Sequence, residues 1–391
     1  MSELLHGRWQ ETKEALLEGL QGTKRSVMST TLENTRRYLS ESASTGSTSA
    51  GNVATLNRVI LPVIRRVMPT VIANELVGVQ PMTGPVGQIH TLRVRYSDSL
   101  SGTFGATAGE EALSPFKIAE GYSANNGAAK TAAATAALEG AAGKRMSIQI
   151  LKQTVEAKTR KLSARWTFEA AQDAQAQQGI DIEAEIMAAL AQEITAEIDQ
   201  EILGSLRSLA GTAVETYNQA AVSGTATFVG DEHAALAVQI NRAANLIAQR
   251  TRRGAGNWAV VSPTTLTLLQ SATTSAFART TEGTFEAPTN TKFVGTLNNA
   301  MKIYVNSYAN DSTSILVGYK GSSESDAPAF YCPYIPLMSS GVVLDPSTFE
   351  PVVSFMTRYG YVELSNTASS LGNAADYLGR VGITSANVKF S

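Results

Sequence analysis

Cysteine is nearly absent: one residue, Cys332, in 391. That excludes an internal disulfide framework and any multi-cysteine metal site. Three histidines, His6, His90 and His233, leave little material for a zinc or iron centre. Charge is scarce too, at 17 % against a usual share of about 25 %. The net charge is −2, so the basic excess of a protein built to coat nucleic acid is missing. No run approaches 18 uninterrupted apolar residues, so no membrane span is expected. The opening MSELLHGRWQETKEALLEGL lacks the apolar core of a secretory signal, and a chain made inside the cell is expected.

What is present is ample apolar material, 43 %, enough for a sizeable core over two or three domains. Low charge has two readings: a neutral polar surface, or a surface given over to other proteins, since interface cores are depleted in charge.

The chain divides by composition. Residues 1–41 are a helical extension, with Leu5, Trp9, Leu16 and Leu20 on one stripe and Met28, Leu32, Thr35 and Leu39 on a second. SESASTGSTSAGN follows at 40–52, with the small polar composition of a linker. Residues 42–81 hold this linker, a segment broken by Pro62 and Pro69, and a Gly/Pro-rich connection. Alternation at His90, Leu92, Val94 and Tyr96, and again at Val155, Ala157 and Thr159, predicts two strands. Together they frame a hairpin arm over 82–165. Its tip, 97–143, is rich in Gly, Ala, Ser and Thr, and is expected to be flexible and to build little core. Such an arm cannot bury its own faces and needs a partner surface.

A long helix is expected within 166–211, broken near Gly179. Ile182, Ile186, Leu190, Ile194, Ile198 and Ile202 recur every four residues. Each step overshoots a full turn by about 40°, so the stripe rotates by about 200° over five steps and must meet different neighbours along its length. A mixed α/β domain follows over 212–365, then a small polar tail over 366–391.

Charge is segregated along the chain. From Lys144 to Arg165 there are seven basic residues and one acid, Glu156; from Glu169 to Glu201 there are nine acids and no Lys or Arg. Lys152, Lys158, Arg160 and Lys161 on the arm, and Asp181, Glu185, Glu193 and Glu197 on the helix, are therefore candidate inter-subunit contacts. The other reading is a solvated helix face. Complementary charge would fix register between copies more than it adds affinity.

No catalytic, cofactor or metal constellation emerges. GAAGK at 140–144 has the wrong spacing for a phosphate loop, and Arg145 stands where Ser or Thr should bind magnesium. The acids of the long helix lack the Glu-x-x-His partners of a di-iron bundle. Cys332, in FYCPY, reads as a buried structural thiol. Arg250, Arg252 and Arg253 form a basic turn suited to phosphate or to a subunit contact.

Several stretches, in order, carry a resemblance. They are LVGVQPMTGPVGQIHTLRVRY (76–96), VEAKTRKLSARWTFEAAQDAQAQQGIDIEAEI (155–186), EITAEIDQEI (193–202), RGAGNWAVVSP (253–263), ILVGYKG (315–321), AFYCPYIPL (329–337) and TRYGYV (357–362). The chain resembles the major capsid proteins of T-even-type tailed bacteriophages. The resemblance implies an α+β, Hong Kong 97-like capsid fold. Its parts are an N-terminal arm, a β-hairpin E-loop, a peripheral domain with a spine helix, and an axial domain with return strands to the peripheral one. It implies no enzymatic activity and no cofactor. The implied role is self-assembly into hexameric capsomers and an icosahedral head around double-stranded DNA, which is held by non-specific proximity.

The partners implied are the chain itself, scaffold or core proteins, a maturation protease, a portal or vertex protein and a decoration protein, with no membrane. The virion shell, assembled in the bacterial host cytoplasm, is the implied location. The family's protease prefers Leu or Ile, any residue, then Glu; Leu39-Ser40-Glu41 fits at the border of helix and linker. Leu16-Leu17-Glu18 and Ile118-Ala119-Glu120 fit as well. Two rivals stand beside this reading: an encapsulin-like, non-viral compartment shell of the same fold, and a cytosolic enzyme.

Overall fold

The computed structural model describes residues 9, 13–14, 17, 22, 25–34, 72–112, 118–140, 142–172, 182–222, 229–271, 277–279, 292–298, 300–308, 314–324, 326–348, 350–364 and 374–384. It divides into two compact units: residues 1–87, 155–204 and 330–362, and residues 88–154, 205–329 and 363–391.

The first unit is built on a five-stranded sheet. Strand β11 (Ala329–Ser339) lies between β1 (Gly78–Val79) and β13 (Pro351–Glu363), and β13 also pairs with β12 (Val343–Leu344) and β4 (Lys158–Arg165). β11 is apolar and buried along almost its whole length, the pattern of a strand covered on both faces. Pro333 has no N–H for the ladder, but its carbonyl still accepts from Met82 N–H at 3.0 Å. β13 alternates buried and half-buried positions with period two. Ahead of β1 comes the short helix α1 (Ala73–Leu76).

Helix α3 (Ile182–Ala210) belongs to this unit as far as Gly204. Its burial explains the rotating stripe. Ile182 and Ile186 are only half-buried, and Met187, Leu190 and Ala191 take the inward face there. Further along, Ile194, Ile198 and Ile202 are buried, joined by Thr195 and Asp199. Glu183 and Glu185 occupy the first turn and Arg207 the last, which suits the helix dipole. The break expected near Gly179 lies outside the described residues.

The N-terminal extension packs on the first unit in its described part. Its helical stretch at 25–34 buries Val27, Met28, Thr31 and Leu32. Asn34 Nδ2 donates to Met82 O at 2.7 Å and to Tyr334 O at 2.9 Å. Lys13 Nζ lies 3.3 Å from Glu33 Oε2, which also accepts from Trp9 Nε1. An amphipathic helix with a buried amide behaves as part of the unit it touches.

The second unit carries a seven-stranded sheet in the order β5 (Glu215–Tyr217), β14 (Leu378–Ile383), β10 (Ser314–Gly318), β6 (Trp258–Val261), β9 (Met301–Val305), β8 (Lys292–Leu297), β7 (Phe277–Arg279). Helices α5 (Val229–Thr251) and α6 (Pro263–Ser271) supply Leu236, Ile240, Ile247, Leu268 and Leu269 to a core shared with Ala259, Val261, Ile303, Val305, Ile315 and Val317. A short helix, α4 (Gln219–Val222), precedes α5. Gly318 is obligatory here, because a Cβ would stand 2.1 Å from the Trp258 ring.

Residues 366–391 are not merely a polar tail: β14 pairs with β10 from Ser314↔Gly382 to Gly318↔Leu378. Its glycines, Gly379 and Gly382, dilute the apolar pattern in the sequence, while Leu378, Val381 and Ile383 do the packing.

The hairpin arm is also shorter than 82–165. β2 (Val86–Tyr96) and β3 (Met146–Glu156) form a two-stranded ribbon, while β4 pairs with β13 in the other sheet. The tip at 97–143 builds only a small core, together with the end of β2. Tyr96, Ala106, Ala112, Ala119 and Tyr122 form a small buried cluster, with the two tyrosine rings 4.5 Å apart. Close backbone approach replaces large side chains: Phe104 N–H donates to Gly127 O, Gly121 N–H to Phe104 O and Leu100 N–H to Ala106 O. A Cβ on Gly127 would fall 1.7 Å from Ser101 O. Glycine here permits close backbone packing. The tip also contains α2 (Thr135–Leu138).

Candidate assembly surface

On β3 the side chains alternate. Met146, Ile148 and Ile150 share one face and are 49 %, 67 % and 66 % exposed. Val86, at the start of β2, is 57 % exposed. Among the described residues no third strand pairs with this ribbon. An exposed apolar strand face of this kind marks a protein contact. Lys152 follows on the same face and is exposed.

Within the first unit, β4 lies antiparallel to β13 with Arg160 opposite Thr357, which places Tyr359 on the diagonal of the same face. Arg160 is half-buried. Its Nε donates to Tyr359 Oη at 2.6 Å, Nη1 lies 2.6 Å from Glu197 Oε2, and Nη2 lies 2.5 Å from Glu201 Oε2. Tyr359 Oη also donates to Glu201 Oε2. Partial burial opposes the guanidinium charge, but the bonds to Glu201 and Tyr359 outweigh it and hold its pKa above the ordinary arginine value. Burial works likewise against the Glu201 carboxylate, and Arg160 and Tyr359 keep it below the usual range. The Tyr359 hydroxyl is held well above its ordinary value, first by burial and then by Glu201.

The candidate charges therefore fall into three groups. Arg160 and Glu197 meet within one chain, so part of the complementarity read from the sequence is satisfied in cis. Lys158 and Lys161 on β4, and Glu185 and Glu193 on α3, are exposed. Asp181 and the Leu39-Ser40-Glu41 motif lie outside the described residues. Glu201 and Tyr359 had not been singled out. The i, i+4 spacing of Glu197 and Glu201 was a usable signal; Tyr359 became visible only through the pairing of β13 with β4. Asp199 was also passed over, although it sits on the buried stripe between Ile198 and Ile202.

The reactive residue types have structural surroundings. Burial pushes the Cys332 thiol up to about 11, which leaves it un-ionised and unreactive at neutral pH. The buried His233 shares a 2.5 Å hydrogen bond with Ser271 Oγ. Arg253 of the basic turn pairs with Asp326 at 2.7 Å. Among the described residues there is no His, Cys, Asp and Glu group able to hold a metal ion, and no helix long and apolar enough to cross a membrane.

Comparison with known proteins gives the family. The family model described as major capsid protein Gp23 matches residues 53–383. The major capsid protein of Vibrio phage KVP40 is 30 % identical, the match covering 85 % of this chain and 82 % of that one. The major capsid protein of Enterobacteria phage T4 is 28 % identical over 83 % of this chain and 78 % of its own. A solved chain from the capsid of Myoviridae phage XM1 superposes with a TM-score of 0.44 at 10 % identity, covering 80 % of this chain and 91 % of that one. By its match over most of its length, this chain belongs to the Gp23 family of phage major capsid proteins.

Proposed function

We propose that the chain builds the head of a tailed phage by closing hexameric capsomers into an icosahedral shell around double-stranded DNA. The observation that carries this is the β3 face of Met146, Ile148 and Ile150, apolar yet exposed in the single chain. Covering it with a second copy removes that surface from water and completes a ribbon that is marginal alone. Lys158 and Lys161, set against Glu185 and Glu193 of a neighbour, would fix register. With a net charge of −2, the shell encloses DNA by proximity and does not grip it.

The family match favours a viral head over an encapsulin-like compartment. Assembly in the host cytoplasm with scaffold or core proteins, followed by cleavage after Glu41 by a maturation protease, completes the proposal. A portal or vertex protein and a decoration protein are the remaining partners. Negative-stain imaging of the expressed chain, alone and with its scaffold, tests it. Capsomers or shells are expected; a monodisperse monomer of 41.3 kDa under both conditions refutes it.

A further inference from the structure

Asp199 is fully buried in α3. Its Oδ1 accepts the backbone N–H of Ile72 at 3.0 Å, and its Oδ2 is buried with no hydrogen-bond partner among the described residues. Ile72 begins the stretch that leads through α1 to β1. That stretch is held again where Gln80 N–H donates to Tyr331 O and Met82 N–H to Pro333 O. Ile72, Leu76 and Val77 are all buried. The side chain of Asp199 thus joins the middle of the long helix to the root of the N-terminal segment.

Among the described residues no cation neutralises it. Tyr331 of β11 feels Asp199 together with Tyr359 of β13, Cys332 and Glu201, none of them a cation; Asp199 itself is governed by burial and the Ile72 N–H. Arg160 of β4 bonds to Glu197 and Glu201, which flank Asp199 two positions away and therefore point off its face of the helix. A buried carboxylate with one backbone donor is costly, whereas the neutral acid is tolerated.

We infer that Asp199 is a proton-dependent latch that ties residues 72–82 to α3 within the first unit. The neutral acid holds the strap closed, and ionisation favours opening, because the charged oxygens then reach water. Burial pushes the carboxyl up to about 7 despite the Ile72 N–H, while in an opened, hydrated strap it returns toward 3.8. Opening is rarest below about pH 4, grows as pH rises toward 7, and levels off above 7.

Hydrogen–deuterium exchange of the full chain reads this as protection factors for the amides of 72–82 between about pH 5 and 8, with assembly state held constant by light scattering. In the wild type, protection is expected to fall up to about tenfold per pH unit as far as pH 7, then to stay level. Asp199→Asn keeps an acceptor for Ile72 N–H and cannot ionise, so its protection is expected to be level throughout. Wild-type protection without slope, or a slope that survives in D199N, overturns the latch. Should D199N fail to fold, the infrared band of a protonated carboxylic acid in the wild type decides. It is expected at pH 5 and lost by about pH 8; its absence at pH 5 overturns the latch equally.

Discussion

Asp199 and Gly318 set the residue-scale expectations, because each occupies a place where one atom decides the outcome. The Asp199 pKa lies about three units above its ordinary value, and a unit corresponds to 1.36 kcal/mol, so ionisation costs the folded unit roughly 4 kcal/mol at neutral pH. The folded state keeps its proton where the unfolded state loses it, so this penalty grows from about pH 4 to 7 and is constant above. D199N is therefore expected to raise the urea midpoint at pH 8 by much more than at pH 4. Gly318→Ala places a methyl group into the Trp258 ring, deep among buried strands. A loss of about 1–3 kcal/mol is expected from overpacking, visible as a lowered Tm together with altered Trp fluorescence. Arg160→Ala removes a half-exposed network, so solvent screening limits its cost to about 1 kcal/mol, measured by the same denaturation.

At the scale of elements, the two-stranded ribbon and the strand β14 carry opposite kinds of expectation. Ile148 and Ile150 face outward in the single chain, so Ile148→Glu with Ile150→Glu leaves the fold nearly untouched. Circular dichroism and Tm are expected to match the wild type while sedimentation shows loss of capsomers. Lys158→Glu with Lys161→Glu is the matching test of charge register; Arg160 is unsuitable for it, since its partners lie in its own chain. β14, by contrast, lies inside the seven-stranded sheet between β5 and β10. Truncation after Thr367 removes a paired inner strand, and loss of cooperative unfolding by calorimetry is expected. These elements also show how legible the chain was. Alternating residues announced β2 and, at 155–159, the junction of β3 and β4, and four-residue spacing announced α3. The end of the hairpin at Glu156 was not legible, since β3 and β4 carry the same alternation and only their partners differ. Nor was the packing of the tip, where the backbones of Gly121 and Gly127 bond to Phe104, 17 and 23 residues away.

For the whole molecule, the outcome rests on surface that one chain leaves apolar and exposed. Family membership and α+β composition were readable from the amino acids alone. Long specific stretches such as GVQPMTGPVGQI survive as patterns, and scarcity of Cys and His is a matter of counting. Local periodicity likewise determined which segments became ribbon, long helix and sheet strands, because side-chain alternation and helical spacing are properties of neighbouring residues. Tertiary structure alone decided which charges were already spent. The sequence set a basic arm beside an acidic helix, but only the β4–β13 register brought Arg160 onto Glu197 and Glu201 of the same chain. It alone turned the N-terminal helix into part of the first unit, through an Asn34 amide reaching carbonyls 48 and 300 residues away. It alone made Asp199 unusual, because the cost of a charge depends on the water, donors and cations around it, and those come from distant parts of the chain.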